Sequence, residues 1–385
     1  MGPGTSAAVP NTPDVTTIPS SGRNNGTPGS PQSPTGNAFN LGGPSNGPSA
    51  GFGGQPVGAF GRQPAMGTAS AVQEASFQAM TQFLQTVLDP FAGGRELREP
   101  SQRAELNEGM GKGLPHWSIW ATGFGESQTS NAGAIPGPAA ATSGVYGTVV
   151  GADFALSERT TIGFALASGG TYFNSGFGSG RSDLFQAGSF VRHMIGEAYV
   201  SAALAYGWQD VTAYTAFDRL NPASVANAYS SRVEGGYRFA TPWMGITPYA
   251  AGQVTNFQLP ADTAQVLADH FASGESTNSV TDSRSELGFR TDKSFGMQTG
   301  ALTLRGRFAW VHDFNPDGAT SALFQMPPGP GFALNGAVQA PDAALAATSA
   351  ELRLSTGWLA ALTLQGEFSN TSRSYAGKGF VRYVW

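Results

Sequence analysis

The chain has 385 residues, a formal net charge of −5 and no cysteine. The acidic balance excludes a nucleic-acid surface, which needs a basic field, and the missing thiols exclude a disulfide framework, a thiolate metal site and a cysteine nucleophile. Only 12% of residues are charged, against roughly a quarter in ordinary soluble domains, yet mean hydropathy is just −0.16 and no run approaches the roughly 20 apolar residues of a transmembrane helix. Such a chain hides alternate residues, and any membrane insertion has to be by strands.

The first residues, Met1-Gly2-Pro3-Gly4-Thr5-Ser6, carry neither the basic n-region nor the apolar h-region of a secretory signal. The expectation is that a longer gene product supplies one. Residues 1–67 are Gly, Pro, Ser and Asn without aliphatic periodicity, so they bury too little apolar surface to offset chain entropy and read as a disordered tail or linker. Within them, Gly43-Pro44-Ser45-Asn46-Gly47 and Gly47-Pro48-Ser49-Ala50-Gly51 match the serine-hydrolase elbow. That motif needs a strand before it and a helix after it; in a biased, proline-bearing segment both are chance matches.

Residues 68–116 hold one helix and a linker. Ser70 and Gln73 have capping-box spacing, Phe77, Met80, Phe83, Leu84, Val87 and Leu88 recur at three and four residues, and Asp89-Pro90 stops the run. A helix from Ser70 to Asp89 is about 30 Å long at 1.5 Å per residue, near the thickness of a bilayer core. It is either a surface helix packed by one face or a plug inside a barrel.

From Trp117 the period changes to two. Twelve strand-like segments begin near Trp117, Gly144, Thr160, Ser182, Glu197, Ala228, Gly245, Thr281, Gly300, Thr348, Trp358 and Gly377, an even number that suits a membrane barrel. Alternation is clearest late in the chain. Arg232, Glu234 and Arg238 oppose Val233, Tyr237 and Phe239; Arg284, Glu286 and Arg290 oppose Leu287 and Phe289; Arg305 and Arg307 oppose Leu304, Phe308 and Trp310; Glu351 and Arg353 oppose Leu352 and Leu354. Together with Glu367, these charges collect on one surface of the sheet. A soluble sandwich would turn that surface to water, whereas a closed barrel with a polar lumen and lipid outside satisfies both faces and leaves no edge. The fold expected is therefore all-β: a 12-stranded antiparallel transmembrane β-barrel over 117–385, with a helix in the pore and a disordered N-terminal tail.

Tight joints such as Met194-Ile195-Gly196 and Thr241-Pro242-Trp243 alternate with polar excursions such as Asp262 to Asn278 and Phe314 to Asp342. Short turns belong on the periplasmic side and long loops outside the cell. The closing strand, Lys378 to Trp385, puts Val381, Tyr383 and Trp385 on one face, as an aromatic girdle at the lipid interface requires. No cofactor is called for. None of His116, His193, His270 and His312 has metalloprotease spacing, and His312-Asp313 at a strand end reads as a solvated pair in preference to an acid–base couple.

In the order of its parts the chain resembles the classical, type Va autotransporters of Gram-negative bacteria. The resemblance runs from about Ser70 to Trp385: a helix, then Trp117-Ser118-Ile119-Trp120-Ala121-Thr122-Gly123-Phe124-Gly125, Thr247-Pro248-Tyr249-Ala250, Arg307-Phe308-Ala309-Trp310-Val311-His312-Asp313-Phe314, and Val381-Arg382-Tyr383-Val384-Trp385. It implies an outer-membrane translocator whose pore is threaded by a helix leading to an N-terminal passenger, with the last strand read by the barrel-assembly machinery. The implied partners are outer-membrane lipid, that machinery and the chain's own passenger segment. The alternatives are a simple porin, which usually needs about 16 to 18 strands for an open channel, and an adhesin-type surface protein.

Overall fold

The structure, a computed structural model, describes residues 63–89, 117–130, 141–175, 178–215, 224–258, 279–315 and 340–383. The elbow-like motifs, residues 1–62, the linker 90–116, Val384 and Trp385 lie outside them. All the described residues belong to one unit, Gln55–Trp385.

Helix α1 spans Gln63–Leu88, 26 residues and so about 39 Å at 1.5 Å per residue. It begins seven residues before Ser70. Pro64 stands in its first turn, where the missing N–H has no intrahelical partner to lose, so Ser70 is interior and its spacing to Gln73 does not cap the helix. No described helix is long and apolar enough to cross a membrane.

The strands follow in chain order: β1 Trp117–Ser130, β2 Ala141–Ala155, β3 Thr160–Ser175, β4 Gly178–Ile195, β5 Ala198–Thr215, β6 Ser224–Tyr237, the two-residue β7 Phe239–Ala240, β8 Gly245–Gln258, β9 Ser279–Met297, β10 Gly300–Asp313, β11 Asp342–Leu354, β12 Trp358–Phe368 and β13 Ser372–Tyr383. Each pairs antiparallel with its neighbour. β6 pairs directly with β8, and β1 closes on β13 with Ile119 opposite Tyr383 and Ser130 opposite Ser372. Twelve long strands among the described residues thus form a ring without an edge, so every strand's backbone groups are paired on both sides.

Half of the twelve long strands start two to six residues earlier than the hydrophobic alternation suggests, among them β11 at Asp342 instead of Thr348, β13 at Ser372 instead of Gly377 and β6 at Ser224 instead of Ala228. Most of the extra residues are Ala, Ser, Asn and Asp, which signal no apolar face; Val225, Leu345, Arg373 and Tyr375 stand singly among them. With 11 to 19 residues per long strand, the ladder is longer than the 9–11 residues a bilayer needs and continues past the lipid at the loop end.

Period two is visible in the burial itself. Along β8 it alternates almost without a break, Thr247, Tyr249, Gln253, Thr255 and Phe257 being buried and Val254 exposed. Outward residues include Leu204, Val233, Leu287, Leu304 and Leu362, all more than 40% exposed, with Trp117, Trp243 and Trp358 near one rim and Trp310, Phe368 and Tyr375 near the other. That apolar band and its aromatic borders are intelligible only against lipid. At the turn end the hairpins are short. Gly196, φ +62°, sits first in the two-residue loop between β4 and β5, where a side chain would be strained.

Candidate functional site: the barrel lumen

The helix lies inside the barrel, against β2 to β6 and β8. Met80, Phe83, Leu84, Val87 and Leu88 are fully buried and pack with Val149, Ala165, Ala167, Ala203, Ala205, Ala226 and Ala228 from the wall. This half of the lumen is apolar and made of small residues, which sequence reasoning, expecting a polar interior throughout, did not find. Two glycines let the helix come close. A Cβ on Gly188 would stand 2.7 Å from Phe83 Cε1, and one on Gly207 would stand 2.9 Å from Met80 Sδ.

The helix's polar positions meet side chains from around the wall. Gln85 donates to Glu286 (3.3 Å), Gln82 donates to Glu126, Gln128 donates to Glu74, Ser76 donates to Gln209 (3.0 Å), and Gln253 donates to Thr81 (2.8 Å). Arg192 Nη2 donates to the Leu88 carbonyl (2.8 Å), satisfying one of the acceptors that a helix C-terminus leaves open. Glu74, Gln82 and Gln85 thus tie the helix to the wall. Gln73 is buried, and its Oε1 has no hydrogen-bond partner among the described residues.

Opposite the helix stands a lattice of paired charges. Glu286 accepts from Arg232 (2.9 Å) and Arg307; Glu234 accepts from Arg290 (2.7 Å) and Arg232 (3.2 Å); Arg305 pairs with Glu351 (2.6 Å), Arg284 with Glu367 (2.5 Å) and Arg238 with Asp292 (2.8 Å). Arg353 stands 4.0 Å from Glu351. Tyr199 and Tyr249 add hydroxyls, the first donating to Glu234 (2.8 Å), the second accepting from Arg307 (2.7 Å), while Arg290 stacks 3.9 Å from the Tyr249 ring. All eleven residues singled out in the sequence, Arg232, Glu234, Arg238, Arg284, Glu286, Arg290, Arg305, Arg307, Glu351, Arg353 and Glu367, take part in these ion pairs, and of these Glu286 bonds the helix. Most contacts to the helix come instead from Glu126, Gln128, Gln209, Gln253 and Arg192. The same alternation in β1, Trp120-Thr122-Phe124-Glu126-Gln128 against Ala121-Gly123-Gly125-Ser127, was the available signal for the first two.

At the closing seam Trp120 Nε1 donates to Asp153 (2.8 Å), Arg382 reaches the same carboxylate (3.7 Å), and the Trp120 ring stacks on Phe380 at 6.0 Å. Val381 and Tyr383 point outward, 46% and 39% exposed, and Tyr383 lies 5.0 Å from the Trp358 ring. Trp385, the third residue of the proposed terminal signal, is outside the described residues. His312 does not pair with Asp313. Its Nδ1 is 2.9 Å from Asp342, which also accepts from Trp310 (2.9 Å), on an exposed strand end.

Among the described residues, open space lies beside the helix in two places: a void toward the turn end, lined by Arg305, Arg307, Lys378 and Thr363 among others, and a void toward the loop end beside Glu74, Glu126, Asp313 and Glu367.

The family model of the autotransporter beta-domain matches residues 119–365, most of the barrel. The chain belongs to the autotransporter β-domain family. The autotransporter β-domain described here is similar to the translocator domain of NalP from Neisseria meningitidis, at TM-score 0.52 and 13% identity over 81% of this chain and 99% of that one. It is also similar to the β-domain of the Bordetella autotransporter BrkA (TM-score 0.51, 16% identity, 70% of this chain and 99% of that one). A third likeness is to the transport unit of AIDA-I from Escherichia coli (TM-score 0.52, 11% identity, 70% of this chain and 90% of that one). At such identities the likeness is one of fold. No curated protein matches the chain by sequence. As an autotransporter β-domain it resides in the outer membrane, anchors an N-terminal passenger and serves its export by type V secretion.

Proposed function

We propose that helix α1 is both the tether to the passenger and the resting plug of the translocator. The observation that carries this is a helix whose two faces are each matched by the wall: an apolar face against small residues of β2 to β6, and Thr81, Gln82 and Gln85 hydrogen-bonded to polar side chains of β1, β8, β9 and β12. A porin has no reason to match both. In this reading the sequence boundary at 67 moves to the start of the helix at Gln63: residues 1–62 are the linker outside, residues 63–116 the pore helix and its connection, and residues 117–385 the translocating barrel. The inward charges keep the lumen wet enough for a chain to pass, and because they are shared across several pairs, no single one of them is indispensable to export. Deleting residues 70–89 should raise single-channel conductance sharply in a planar bilayer. An unchanged conductance would refute the plug and favour the porin.

The last strand serves as recognition signal for the barrel-assembly machinery, through Val381, Tyr383 and Trp385, while lipid holds the outer band. Removing Trp385 should lower the amount of assembled, heat-modifiable barrel in the outer membrane; normal amounts would remove the signal from the reading. The domain carries no enzymatic activity of its own, His312 and Asp342 acting as a surface pair. Purified barrel should leave ester and peptide substrates intact.

A further inference from the structure

The two voids beside the helix carry opposite charge. Five cations line the turn-end void, Arg232, Arg290, Arg305, Arg307 and Lys378, against two carboxylates, Asp89 and Glu234, a formal balance of 5 − 2 = +3. At the loop-end void five carboxylates, Glu74, Glu126, Asp282, Asp313 and Glu367, face one cation, Arg284, a formal balance of 1 − 5 = −4. Glu286 and Glu351 do not line the turn-end void but pair with Arg232, Arg307 and Arg305, and counting them leaves the turn end at 5 − 4 = +1, still opposite in sign to the loop end. A donor there remains to be answered: Arg232 Nε has no hydrogen-bond acceptor among the described residues, and Lys378 lines the same void, with the Asp89 carboxylate as the main attracting charge on it. The voids share Gln85 and Gln365 in their walls, and these two side chains hydrogen-bond to each other at 3.4 Å.

From this we infer that the turn-end void binds small inorganic anions, with Lys378 as the anion-facing residue. The space left beside the plug is then an ion path polarised along its axis, anion-selective at the turn end and cation-selective at the loop end. Rings of Arg and Lys select anions and rings of Asp and Glu select cations, and in a passage narrower than the Debye length of about 8–10 Å the wall charge sets which ion enters. Two such zones in series conduct unequally in the two directions. When the loop end is positive, cations enter through the acidic zone and anions through the basic zone, both meet at the Gln85–Gln365 junction, and current is high. With the loop end negative, each zone excludes the ion driven into it, and the junction empties.

The inference goes beyond the plug but rests on the helix staying in the lumen, so the full chain is the material to use. Heat-modifiable full-chain barrel, in planar bilayers with potassium chloride on both sides, should give a small, rectified current. Lys378→Glu should straighten the current–voltage curve and move the zero-current potential in a salt gradient toward the cation side. Lys378→Gln should do so less, and both variants should keep the heat-dependent gel shift of a folded barrel. An ohmic or undetectable current in the full chain, or rectification that Lys378→Glu leaves unchanged, would overturn the inference. Equal conductance with and without residues 70–89 would instead sink the plug.

Discussion

Glycine 188 offers the sharpest test of how the helix is held. Its built Cβ lies 2.7 Å from Phe83 Cε1 and 2.9 Å from the Leu204 carbonyl oxygen. Neither neighbour can yield cheaply, the first being a packed ring and the second backbone. Overfilling a packed site costs about 1–3 kcal/mol. The five apolar helix side chains facing the wall each contribute at most about 1.5–3 kcal/mol of burial, so Gly188→Ala leaves the helix docked but shifts its opening equilibrium about 5- to 150-fold. Full-conductance openings of the intact chain in a planar bilayer should become more frequent by that factor. Gly252→Ala, whose Cβ meets nothing within 4 Å, should change nothing. Phe83→Leu combined with Gly188→Ala should be less disruptive than the sum of the two, since the smaller side chain removes the clash. Unchanged opening in Gly188→Ala together with strict additivity would refute this packing.

Other consequences are measurable on the same material. Glu286→Gln removes the carboxylate shared by Arg232 and Arg307, leaving buried guanidinium charge uncompensated at a cost of about 3–5 kcal/mol; the temperature of the gel shift should fall, and adding Arg307→Gln should restore part of it. Asp153→Ala strands the Trp120 indole N–H and the Arg382 guanidinium at the seam, costing about 1–3 kcal/mol, and should likewise lower that temperature, with no effect on conductance in the folded state. Arg192→Met loses the bond to the Leu88 carbonyl, worth about 1.5–3 kcal/mol as a charge-assisted bond, and should raise the frequency of full openings while the barrel's own heat resistance changes little.

The barrel was legible because its outward face is nearly uniform. Lipid demands an apolar residue at every second position, so Leu287, Phe289, Leu304 and Phe308 announce themselves, and the charges between them are fixed as inward by parity alone. The loop-end extensions were not legible, because beyond the lipid neither face is constrained and Ala343, Ala344 or Asn227 fit strand and loop equally. Parity also says nothing about which inward residues touch the helix. That depends on its rotation and on which wall it leans against, set by the absence of side chains at Gly188 and Gly207 and by the alanines of β3, β5 and β6. A small residue carries no signal in a pattern scored by hydrophobicity, although here it decides the docking side.

The pairing of β1 with β13 joins residues 264 positions apart, Ile119 with Tyr383, whereas every other pairing of long strands links neighbours in the chain. Local hairpins close first and the longest loop last, so the sheet has to exist for a time as an open, curled ribbon with two bare rims. The helix rests on β2 to β6, the part of that ribbon made first. It can therefore be wrapped while one side is still open, and the latch of Trp120, Asp153, Phe380 and Arg382 shuts a door behind a guest already seated.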